Sequence, residues 1–194
     1  MQITAFARRR WPALVALAAG LSMGLTACDD DPFSFDWADT PDTVLLYSLA
    51  RPELNLVSAF NFFERRAVQV EAATSTGFWD AAVDTRNGQI VLLPPGAFGI
   101  VSEAGIAELA GLTLSDVTEA PSDTTAYVED GAVPVQLGNV YVVKTNRQAN
   151  GPFGARCVYY AKVSAINADP AGGTLTFEYV TNPVCNDRDL VPPD

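Results

Sequence analysis

"TLTFEYV" (Thr174–Val180) alternates without a break, with Leu175, Phe177 and Tyr179 on one side and Thr174, Thr176 and Glu178 on the other. A period of two is that of a strand with one face in a core and the other wet. Two further β-branched and aromatic runs precede it, "GNVYVVKT" (Gly138–Thr145) and "CVYYAKVSAI" (Cys157–Ile166), and "NADPAGG" separates the last two. Strand, turn and strand in that order predict an antiparallel meander, and with it an all-β, sandwich-like fold.

The same signals continue upstream. "TVLLYSLA" (Thr43–Ala50) is apolar and β-prone, and "SAFNFFERRAVQVE" (Ser58–Glu71) gives two short strands around Glu64, Arg65 and Arg66. "GFWDAAVDTRNGQIVLL" (Gly77–Leu93) places Asn87-Gly88 between apolar runs, a hairpin signature because both residues tolerate positive φ. Pro94-Pro95-Gly96 stops that strand. One departure from β structure is expected, a short helix near residues 102–110, with Ser102 as its N-cap and Gly111 just past its end.

Cysteine spacing follows from the meander. If the turn over Asp169–Gly173 is centred near Ala171, Cys157 and Cys185 lie equally far before and after it. Opposed antiparallel residues are about 4.5–5.5 Å apart at Cα, within reach of a disulfide. The spacing therefore predicts a Cys157–Cys185 bridge, and an oxidising compartment with it.

The remaining cysteine, Cys28, ends a different segment. Arg8, Arg9 and Arg10 precede an apolar run, Pro12 to Ala27, of the length and small-residue content of a secretory signal. Leu25-Thr26-Ala27-Cys28 resembles a bacterial lipobox, which implies cleavage before Cys28 and its lipidation. The predicted organisation is a signal peptide over 1–27, an acidic tether over 28–42 and a single β-rich domain over 43–194. Several acyl chains anchor firmly, since each buried methylene contributes roughly 0.8 kcal/mol. The expected address is the bacterial cell envelope, at the outer membrane in preference to the inner one.

Composition narrows the chemistry. The chain has 12 basic and 23 acidic residues, and its net charge moves from −11 to −14 as the three signal arginines leave. Such a charge argues against nucleic acid as partner. There is no histidine, and both methionines (Met1 and Met23) lie in the signal. A Ser-His-Asp triad is thereby excluded. The only lysines, Lys144 and Lys162, sit at strand positions where a solvent-facing side chain is expected. Acid pairs recur (Asp80 and Asp84, Glu129 and Asp130, Asp187 and Asp189), as 23 acids in one chain make ordinary. No catalytic or metal-ligating residue is assigned. Among the aromatics Trp79, Tyr159 and Tyr160 are the candidate ligand contacts, because Tyr159 and Tyr160 point to opposite faces of one strand and an exposed ring can stack on a planar ligand.

Taken together, "AFNFFERRAVQV", "GFWDAAV" and the final meander resemble the HmuY family of haem-binding lipoproteins. The resemblance implies a lipid-anchored β domain that captures a ligand or partner at the cell surface. It carries no site with it, because the family ligates haem through histidine or methionine and the chain after Ala27 has neither. No haem cofactor is therefore expected. The expected function is non-catalytic binding, with an accessory role toward another envelope protein as the alternative and an acid-residue hydrolase as the third reading.

Overall fold

In the computed structural model, which describes residues 37, 40–147 and 154–193, ten strands form two antiparallel sheets. In chain order they are β1 (Asp42–Tyr47), β2 (Ala59–Asn61), β3 (Arg66–Val68), β4 (Ala81–Arg86), β5 (Gln89–Leu93), β6 (Gly105–Leu109), β7 (Val133–Pro134), β8 (Val140–Lys144), β9 (Tyr160–Asp169) and β10 (Thr174–Thr181). The first sheet runs β1-β10-β9-β8-β6 and the second β3-β2-β4-β5-β7. All described residues fall in one unit spanning 35–194. The predicted signal peptide and Cys28 lie outside the described residues.

The meander read from Thr174–Val180 is the body of the first sheet. Leu175, Phe177 and Tyr179 point inward, where they meet Phe60 and Phe62 from the second sheet. Phe60 packs edge-on against Tyr179 at 4.9 Å and Phe177 at 5.8 Å between ring centroids, the offset geometry that aromatic quadrupoles favour. In the second sheet the Asn87-Gly88 hairpin joins β4 to β5, with φ of 52° and 75° at the two turn residues.

Each sheet also has a second, outer covering. A segment following β6 lays Leu114, Val117 and Ala120 over Val140 and Val142, and Leu190 near the C-terminus joins them. A 3₁₀ turn over Pro95–Phe98, just after Pro94, brings Ala97 against the outer face of the second sheet, over Val91 and Leu93. Part of each sheet's outer face is therefore dry, and alternation within a strand does not by itself mark the wet side.

The expected helix near 102–110 is instead strand β6. Ser102 does accept a bond from the Ala104 amide, at 3.0 Å, but the chain then extends along β8. Ile106 enters the central core while its neighbour Ala107 enters the outer cluster, a two-sided burial that a strand between two layers can make. Gly105 lies under Tyr127 so closely that an added Cβ would stand 3.0 Å from the Tyr127 Cβ. A helix this short has little stability of its own, and the open edge of β8 overrides it.

Candidate functional site

Cys157 and Cys185 are disulfide-bonded, with Cα atoms 5.0 Å apart. The bridge closes one end of the sandwich, where loops from both sheets meet. Asn186, in the left-handed region at φ 57°, exchanges backbone and side-chain bonds with Val158 at 2.9 Å each. Asn182, fully buried, donates to the carbonyls of Asp187 and Asp189. Thr145 Oγ1 accepts from the Tyr159 amide at 2.9 Å.

Asp80 is the tie between the two sheets at this end. Its residue is 1% exposed, Oδ2 accepts from the Phe62 amide at 2.8 Å, and Oδ1 accepts from the Asn146 amide at 3.0 Å. Phe62 follows β2 in one sheet and Asn146 follows β8 in the other. Burial raises the carboxyl to about 6, outweighing the two amide donors that favour its charged form. The acid pairs serve separate structural ends. Asp84 pairs with Arg86, Glu129 with Lys144, and Asp187 accepts from Asn182. Arg188, which stands between Asp187 and Asp189 in the sequence, pairs with Glu119. Among the described residues no group of three or more His, Cys, Asp or Glu is placed to hold a metal ion.

The three aromatic candidates occupy three different places. Trp79 is 1% exposed, packed in the outer cluster of the second sheet and edge-on to Phe98 at 5.5 Å, so its indole offers no face to a ligand. Tyr159 stacks on Phe63 at 4.6 Å, with Phe63 partly exposed above it, and burial pushes its phenol up. Tyr160 faces the other way, as alternation predicts, and packs with the outer cluster of the first sheet near Tyr127.

Lys162 corrects the expectation of a solvent-facing lysine. It is 5% exposed, and Nζ donates to the carbonyls of Leu114 at 2.8 Å and Val117 at 2.9 Å. Burial depresses its ammonium. The lysine pins the covering segment to the sheet, and it lines an open cleft of about 380 Å³ with Glu178, Val180, Ser115 and Pro41. Lys144 keeps its head near the surface, bonded to Glu129 at 2.7 Å and 5.3 Å from the Tyr127 ring centre.

The haem implied by the family resemblance does not fit this donor set. Tyr159 is held away from its phenolate by burial, and Lys162, the cation that could activate Tyr160, is committed to two backbone carbonyls. Sequence reading missed Asp80 and Lys162 as buried groups; the flanking Trp79 and Ala81, both deeply buried, were the local signal for the first.

No protein-family model matches the chain, and no curated protein matches it.

Proposed function

We propose that the chain is a lipid-anchored module of a bacterial cell envelope, displayed at the outer membrane, whose β-sandwich binds a partner or ligand without catalysis. The observation that carries this reading is the cysteine pattern. Cys157 and Cys185 are joined, which suits an oxidising compartment, and Cys28 is left alone behind an apolar run and three arginines. The HmuY-like order of strands is consistent with such a module, without that family's haem ligation.

The burial of Trp79 and Tyr159 favours the second form of the reading, an accessory lipoprotein that contacts another envelope protein, over stacking on a small planar ligand. The test is the Cys28→Ser variant in a bacterial host. Wild type should enter the detergent phase on phase separation and shift in mass by its acyl chains, and the variant should do neither. Normal processing and membrane attachment of the variant would overturn the proposal.

A further inference from the structure

The geometry points to the outer edge of β1 as a strand-addition site for an extended, basic segment of another protein. Four strands edge the two sheets, and three of them are blunted. β3 has three residues and β7 two, of which Pro134 has no amide hydrogen. Ile106 of β6 exchanges both backbone bonds with Val128, at 3.0 and 2.9 Å. Exposed edges are normally protected in such ways, so a long unprotected one stands out.

β1 has six residues and, among the described residues, pairs as a strand with β10 alone. The Ser48 amide bonds Gly173 and the Tyr47 amide turns away to Val57, which fixes the alternation along the strand. Even-numbered residues bond β10; the amides and carbonyls of Thr43 and Leu45 point outward. Among the described residues neither has a backbone partner on that side. An extended polypeptide supplies the donors and acceptors that such a row lacks.

Side chains set the kind of segment. Val44 is half-buried against the central core and Leu45 is 43% exposed on the opposite face, so apolar residues at the middle of the added strand would cover both. Asp42 begins the strand, and Glu178 lies directly across from Thr43 on β10. Both call for a basic residue at that end. A second copy of this chain, itself at −11, lacks that complementarity.

The test uses the full chain in detergent and a short probe peptide of alternating valine and threonine flanked by lysines. In the free protein the Val44 and Leu46 amides should exchange slowly with solvent, and those of Thr43 and Leu45 fast. Saturating peptide should slow Thr43 and Leu45 by about tenfold or more. Leu45→Pro should fold normally, because the amide it removes points outward, and should weaken the peptide by about tenfold. Asp42→Lys should shift preference toward a glutamate-flanked version. Four results each overturn the inference: slow Thr43 and Leu45 amides in dilute free protein, protection that rises with protein concentration alone, no slowing with peptide, or equal peptide affinity in Leu45→Pro.

Discussion

Replacing Asp80 by asparagine removes a buried titrating group that ties the two sheets together, and it should change how stability responds to acid. The folded carboxyl stands at about 6 against a reference of 3.8, raised chiefly by burial. A carboxyl raised in the folded state contributes stability that is complete below the unfolded value and is lost as pH rises through about 6. Between pH 7 and pH 4 the wild type should therefore gain about 2.5 kcal/mol from this residue, a gain Asp80→Asn lacks. Global charge effects of acidification act on both proteins and cancel in the difference. Urea unfolding, followed by the fluorescence of buried Trp79 with the disulfide intact, measures both at pH 7, 6, 5 and 4. The wild-type advantage should widen steadily toward pH 4. A constant gap would mean that Asp80 titrates normally. A gap that narrows with acid would mean that the Phe62 and Asn146 amides hold the carboxylate charged against its desolvation, and the argument would be refuted.

Three other substitutions or treatments test separate parts of the structure. Asp80→Ala leaves the Phe62 and Asn146 amides buried without acceptors, so unfolding at neutral pH should come about 2–6 kcal/mol sooner, at about 1–3 kcal/mol for each orphaned group. Lys162→Met should speed amide exchange over residues 113–117 selectively, and raising the pH toward 10 should stabilise wild type relative to it, since a depressed ammonium contributes stability that is lost as pH falls. Reduction of Cys157–Cys185, separated by 28 residues, should cost about 3.5 kcal/mol in the chain-entropy account, and alkylation without reductant should label neither cysteine.

How much was legible in the sequence depends on what each signal reports. Alternation in Thr174–Val180 and the Asn87-Gly88 turn are local, so the meander and the hairpin could be read directly. The disulfide is read from a turn assumed to centre on Ala171. The turn pairs Asp169 with Thr174, which alone would set Cys157 opposite Asn186, so the bridge forms through the irregularity at Ile166 and the loop after Thr181. Alternation says which side of a sheet a residue faces and is silent on what lies over that side. Lys162 and Trp79 were misjudged for this reason, since each faces outward from its own sheet and is covered by a segment with no regular pattern of its own. Ser102–Gly111 failed in another way. Its capping residues suited a helix, and the edge of β8, some thirty residues on, was the stronger partner.

The β9–β10 ladder holds a trapped dislocation. Next to the turn, Asp169 faces Thr174 and Asn167 faces Thr176; beyond it, Ala165 faces Phe177 and the register has moved by one, with Ile166 left over. The turn dictates one register, and past Thr181 the far end is held separately, by the Cys157–Cys185 bridge and by Asn186 bonded to Val158. While both ends are pinned the extra residue has nowhere to go. Cutting the bridge frees one pin, and the defect can then glide toward Cys157, turning each residue it passes, Val163 and Ala161 among them, from the core to the opposite face. The core opposes every step of that glide. The bridge thus guards alignment as well as stability, and its loss would first appear as a strand out of register inside a molecule still folded.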